Sequence, residues 1–319
     1  MALFRRRVGG HLSEAARRVI DDARAYAVDG RISNPHWRAL AREIARRDWR
    51  ARLGALDFPY AMDDVRIGDV PCVVYSPGEG APDAPAFVYL HAGAFVAGSA
   101  RDNAAAALPL AFLSGRRGVG VDYSLAPERA FPAALDEIES VWRGLVARHP
   151  AASMILVGDS AGGNLALASL VRWRDRGLPL PAGAALFSAM LDGAAESDTM
   201  QTLRHHDPFI NARAVARLSQ VFEAYAPGRD LRDPLVSPLH ADLRGLPPLL
   251  VIAGSRETLL GDAARLAEKA RADGVDATLR VFDGMFHLFH MYWDLAEGRR
   301  AQEAAAAFLQ SRVGPASAH

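Results

Sequence analysis

From residue 65 onward, short apolar runs bounded by Gly and Pro alternate with helix-length, Ala-rich segments. This alternation constrains the fold more than any other feature. Runs of four to six apolar residues suit strands buried on both faces, and the helical stretches between them suit the crossovers that parallel strands need. Candidate strands are 70–75, 86–90, 118–122, 154–157, 182–187, 249–253 and 278–282, and candidate helices are 103–113, 132–148, 161–174, 261–273 and 295–312. The class is α/β, an open and mostly parallel sheet with helices on both faces. In such sheets ligand chemistry gathers beyond the carboxyl ends of the strands.

Two segments stand outside the rhythm. Phe4, Val8, Leu12, Ala15, Val19, Ala23 and Tyr26 form one stripe at steps of three and four, and Trp37, Leu40, Ile44 and Ala45 repeat it in a second helix. Residues 1–64 therefore read as an N-terminal helical cap segment and 65–319 as the catalytic domain. Within the latter, about 195–231 reads as a cap insertion over the strand ends, with a helix near 214–225.

Half the residues are hydrophobic and the formal charge sums to zero, so nothing in the global balance attracts nucleic acid or an anionic membrane over long range. Charge is unevenly spread: residues 1–52 hold 13 Arg against 6 Asp or Glu. That excess is the only hint of a partner in the composition. A single cysteine, Cys72, leaves no intrachain disulfide and permits a cytoplasmic setting. The basic start at Arg5–Arg7 is not followed by an apolar stretch, because His11, Glu14, Arg17 and Arg18 interrupt it. We therefore expect no signal peptide, no stable membrane insertion and a soluble protein.

Ser160 lies in Gly158-Asp159-Ser160-Ala161-Gly162, after the strand candidate 154–157 and before the helical run from Ala161. A sharp strand-to-helix turn pushes a serine oxygen into the open, and the helix that follows aims its positive end at a developing oxyanion. The strand candidate 86–90 ends in His91-Ala92-Gly93-Ala94-Phe95-Val96-Ala97-Gly98. Small residues there let backbone N–H groups approach a ligand.

Those two motifs, with Asp122-Tyr123-Ser124-Leu125-Ala126-Pro127-Glu128 and Asp233-Pro234-Leu235-Val236-Ser237-Pro238-Leu239, occur in an order that resembles the hormone-sensitive-lipase-like (family IV) esterases of the α/β-hydrolase superfamily. The resemblance covers about 65–309. It implies an eight-stranded α/β-hydrolase fold, an oxyanion hole formed by the N–H groups of Gly93, Ala94 and Ala161, and a bracing role for His91. The sequence departs from the family pattern at Ala92 in the His-Gly-Gly-Gly loop, at Ser124 where Arg is usual, and at Ser188-Ala189-Met190 where Ser-Pro-Trp is frequent. Ala92 would strain the loop only if its φ were positive.

By the same resemblance the catalytic acid follows a late strand and the histidine follows the last one. Glu257, beyond strand candidate 249–253, and His287, beyond 278–282, fit those places. Asp262, which also suits a cap for the helix near Ala263, and Asp192 are the alternative acids; His290 is the alternative base. His205-His206-Asp207 invites a metal reading, but adjacent residues seldom converge on one ion, and a turn before Pro208 is the better reading. No metal or organic cofactor is expected. The expected chemistry is hydrolysis of short- to medium-chain carboxylic esters through a Ser160 acyl-enzyme. Lactone or amide cleavage or acyl transfer by the same residues is the alternative, and a ligand-binding protein without turnover is a third reading. The substrate would be a small ester or lactone, and the exposed edge of the last strand suits a homodimer.

Overall fold

The computed structural model describes residues 13–23, 35–78 and 81–314. Phe4, Val8, Leu12 and Tyr26 of the expected first stripe, Arg5–Arg7 and the tail beyond Gly314 lie outside the described residues. In chain order the elements are α1 (Glu14–Ala23), α2 (Pro35–Leu53), β1 (Ala61–Ile67), β2 (Val70–Ser76), β3 (Pro85–Leu90), α3 (Ala104–Ser114), β4 (Arg117–Val121), α4 (Ala133–Val146), β5 (Ile155–Asp159), α5 (Ala161–Asp175), β6 (Gly183–Phe187), α6 (Thr199–Thr202), α7 (Ala212–Val215), α8 (Leu218–Tyr225), β7 (Leu249–Gly254), α9 (Leu260–Ala272), β8 (Ala277–Phe282) and α10 (Ala296–Val313).

The strands form one sheet in the order β1-β2-β4-β3-β5-β6-β7-β8. β2 pairs antiparallel with β1 and β4, and every other pairing is parallel. Because side chains alternate along a strand, the central strands feed two cores. Val88, Leu156, Leu186 and Val251 join one layer with α4, α5 and α9, where Trp142 stacks on Trp173 at 4.8 Å. Phe87, Tyr89, Ile155, Val157 and Ile252 point the other way, into a layer with α3 and α10. Each of β3, β5, β6 and β7 is buried along its whole length, the condition their unbroken apolar runs foreshadow.

Three expectations need correction. The sequence reading missed β1, whose residues are exposed or half-exposed throughout. Leu40, expected on the inner face of α2, is 47% exposed. The helix expected near 214–225 is two helices, α7 and α8, the first capped by the Asn211 side chain accepting from Arg213 and Ala214 N–H.

The basic N-terminal segment has partners within the chain. Arg42 donates to both carboxylate oxygens of Glu128 and to the carbonyls of Val96 and Ala126, and Arg50 pairs with Asp102 at 2.6 Å. Two of the arginines behind the local charge excess thus fasten α2 to the loops beyond the strands.

Candidate active site

Ser160 occupies the turn between β5 and α5 at φ 52° and ψ −117°. Non-glycine residues adopt such a backbone only when the surroundings hold them there, at about 1–3 kcal/mol. Ser160 N–H donates to Phe187 O at 3.0 Å, and Ser160 O accepts from Met190 N–H at 3.1 Å, so the neighbouring strand end grips the turn on both sides. A Cβ on Gly162 would lie 2.0 Å from the Leu90 carbonyl oxygen, which is why this close approach of α5 to β3 requires glycine.

The chain end of β8 returns His287 over the sheet. His287 Nε2 lies 3.0 Å from Ser160 Oγ, and Nδ1 lies 3.2 Å from Glu257 Oε2. With Nδ1–H facing a carboxylate, Nε2 is left to accept the serine hydroxyl proton. Glu257 is fully buried, and its other oxygen accepts from Gly254 N–H.

The alternatives identified in the sequence lie elsewhere. Asp262 does not cap a helix; α9 begins two residues before it, and its carboxylate accepts from Leu191 and Asp192 N–H at 3.0 and 3.2 Å. Asp192 pairs with Arg265 at 2.8 Å and His240 at 3.2 Å. Burial alone would raise its carboxyl, but those partners and backbone N–H groups hold it below the usual range. His290 bonds Asp159 at 3.2 Å and stacks on Phe187 at 4.3 Å.

In the loop after β3, positive φ falls on Gly93 (138°), Ala94 (53°), Phe95 (62°) and Gly98 (96°), and not on Ala92. The Ala92 departure is therefore free of the strain considered above. A Cβ at Gly93 would collide with the Ala97 carbonyl oxygen at 1.9 Å. No backbone acceptor among the described residues takes the N–H of Gly93, Ala94 or Ala161. His91 braces this loop: its Nδ1–H donates to Ala92 O at 2.8 Å, Tyr123 OH donates to His91 O at 2.7 Å, and the two rings stack at 4.1 Å. Burial holds the His91 imidazole below its ordinary range, in the neutral form. At the second departure, Ser124 fixes its own loop by donating Oγ–H and N–H to Glu137 at 2.7 and 2.6 Å.

Ser160, His287, Gly93 and Ala94 open onto a cavity of about 470 Å³. Val19 of α1, one face of α2, and Phe209, Ile210, Ala214, Leu218 and Val221 complete its walls. The 195–231 segment also rests on the loop, since Tyr225 stacks on Phe95 at 3.9 Å.

Sequence reasoning read Asp207 only as part of a turn. It is that turn, with Oδ1 accepting from Phe209 and Ile210 N–H, and its Oδ2 accepts from Thr258 N–H at 3.1 Å. Both oxygens are used by backbone donors, which removes the metal reading of His205-His206-Asp207. Asp192, Glu196 and His240 bring ligand atoms within 4.8 Å of one another, but Arg265 bridges the two carboxylates and supplies the cation.

The α/β-hydrolase fold family model matches residues 87–291. The chain is 35% identical over 291 residues to an acetyl-hydrolase of Streptomyces hygroscopicus, covering 86% of this chain and 96% of that protein. It is 35% identical over 228 residues to an esterase of Acinetobacter venetianus, covering 70% of this chain and 74% of that protein. The crystal structure of an esterase from the bacterial hormone-sensitive lipase family superposes with a TM-score of 0.86 at 36% identity, covering 95% of this chain and 99% of that one. The chain belongs to the hormone-sensitive-lipase-like esterases of the α/β-hydrolase superfamily, and as such is a serine hydrolase of the carboxylesterase and lipase type. Among the described residues, no helix is long and apolar enough to cross a membrane.

Proposed function

We propose that the protein hydrolyses short- to medium-chain carboxylic esters through an acyl-enzyme on Ser160. His287 takes the Ser160 proton as Oγ attacks the ester carbonyl, then delivers it to the leaving alkoxide. Glu257 orients the imidazole and stabilises its protonated form. The N–H groups of Gly93, Ala94 and Ala161 receive the oxyanion. Water then attacks the acyl-enzyme with His287 as base, returning the serine and releasing the acid. The contact that carries this reading is the continuous relay from Ser160 Oγ to His287 at 3.0 Å and from His287 to Glu257 at 3.2 Å. The cap is α1, α2 and the 195–231 insertion, whose residues wall the cavity; its volume suits acyl chains of modest length.

The apolar lining of that cavity favours one variant of the last step, in which an alcohol or amine replaces water as acceptor. Product analysis with competing nucleophiles separates the two. The proposal itself is tested by Ser160→Ala, which is expected to lower p-nitrophenyl ester cleavage by at least about 10⁴-fold. Cleavage at the wild-type rate overturns it.

A further inference from the structure

Apart from Ser160, His287 and Tyr292, the described residues that line the cavity carry polar side chains only along one stretch of α2. Ala41, Ile44, Ala45, Asp48, Trp49 and Arg52 face the cavity at helical spacing, and among the described residues that line it Asp48 and Arg52 are the only Asp, Glu, Lys or Arg.

The pair is fixed and only partly satisfied. Arg52 and Asp48 form an ion pair one turn apart, with the Arg52 side chain 7% exposed and the Asp48 side chain 41% exposed. The guanidinium carbon of Arg52 sits 4.1 Å from the Tyr292 ring centroid and 6.0 Å from that of Phe209. Its Nη1 donates only to the thioether sulfur of Met291, at 3.6 Å, and its Nε has no acceptor among the described residues. A guanidinium has five N–H donors, so donor capacity remains at Nη1. One Asp48 oxygen accepts from Arg52, which leaves the other, in a half-open side chain, without a partner among the described residues. Holding two charges in an apolar wall carries a desolvation penalty, and an alkyl substrate would gain nothing from them.

We propose that Asp48 and Arg52 form a polar subsite for an uncharged hydroxyl carried on the part of the ester remote from the scissile bond. The hydroxyl donates its hydrogen to Asp48 and accepts from an Arg52 Nη–H. A terminal carboxylate meets the repulsion of Asp48, and a terminal ammonium meets that of Arg52; a hydroxyl complements both. This inference rests on the ester-hydrolase reading of the same cavity.

The test compares kcat/KM for esters of equal length ending in methyl, hydroxyl or carboxylate. p-Nitrophenyl ω-substituted alkanoates probe the acyl side and ω-substituted alkyl butyrates the alcohol side. In one of the two series, the hydroxyl-to-methyl ratio is expected to fall about tenfold in Asp48→Ala and in Arg52→Met relative to wild type. The carboxylate-to-methyl ratio is expected to rise in Asp48→Ala, where Arg52 is left without its counter-charge. Asp48 is half-exposed, so Asp48→Ala carries the test even if Arg52→Met does not fold. Ratios unchanged within twofold in both series, or a wild-type preference for carboxylate over hydroxyl, overturn the subsite. Fluorophosphonate labelling of the same preparations separates the two readings. Labelled protein with unchanged ratios sinks the subsite alone, and unlabelled wild type sinks the acyl-enzyme with it.

Discussion

Asp207 and Thr258 are joined by a 3.1 Å hydrogen bond from the Thr258 N–H to the Asp207 carboxylate, which ties the segment over the strand ends to the residue that follows Glu257. The same carboxylate accepts from Phe209 and Ile210, two residues that wall the cavity. One buried side chain therefore sets both the acid-bearing turn and part of the pocket.

Asp207→Asn keeps the volume, removes the charge and presents an N–H₂ group to one of the backbone donors. Burial raises the Asp207 carboxyl above its ordinary range, while the nearby His287 opposes that rise. Asp207→Asn is expected to lower kcat/KM by roughly tenfold or more, since it disturbs both the turn that carries Glu257 and the wall of the cavity. A kcat/KM within about twofold of wild type would show that neither the turn nor the cavity depends on the Asp207 carboxylate.

The two alanines of the loop after β3 are expected to respond in opposite directions to glycine. Ala94 sits at φ 53°, whereas Ala92 is absent from the positive-φ positions. Ala92→Gly adds freedom to the unfolded chain without relieving strain, and is expected to destabilise by about 0.5–1 kcal/mol. Ala94→Gly relieves a left-handed alanine, which offsets or exceeds the same entropy and makes the change neutral or stabilising by up to about 1 kcal/mol. Urea denaturation of both variants reads the signs; equal destabilisation contradicts the assignment of strain to position 94.

The parts of this molecule legible in sequence are those whose physics is local. β3, β5, β6 and β7 are buried on both faces and so read as unbroken apolar runs. β1 pairs on one side only and carries Asp63 and Asp64 toward solvent, which left no apolar run to find. The turn holding Ser160 was visible because a tight strand-to-helix turn needs small residues at fixed offsets. Asp207, Arg42 and the Asp48–Arg52 pair were not visible, because each acts through partners distant in sequence or through the wall of a cavity that the chain makes only when folded.

His287 and His290 are the two candidate bases, and their surroundings differ. His290 is 1% exposed and bonds Asp159, while His287 reaches Ser160. His287→Gln is expected to lower turnover by about 10⁴-fold or more. His290→Gln is expected to lower the melting temperature, since it disturbs a buried pair, yet to retain ester cleavage and fluorophosphonate labelling. Loss of labelling in a folded His290→Gln protein would reverse the two roles.

Asp262 supplies a pH signature of the fold itself. Its Oδ2 takes two backbone N–H groups, but Oδ1 has no partner among the described residues, and burial raises its carboxyl from 3.8 to about 7. The folded state thus binds this proton more tightly than the unfolded chain does. Stability from Asp262 is fully present below pH 3.8 and declines as the pH rises toward 7. Asp262→Asn can keep the two accepted hydrogen bonds without the buried charge. At pH 8 the variant is expected to equal or exceed wild type in unfolding free energy, by up to on the order of 3–4 kcal/mol. The gap should narrow as the pH falls and close once the pH is well below 3.8, where Asp262 holds its proton in both states. Urea unfolding across that window checks it: a variant less stable than wild type at pH 8, by a deficit that shrinks toward acid, would show that Asp262 stabilises the fold as a carboxylate, through its bonds to Leu191 and Asp192.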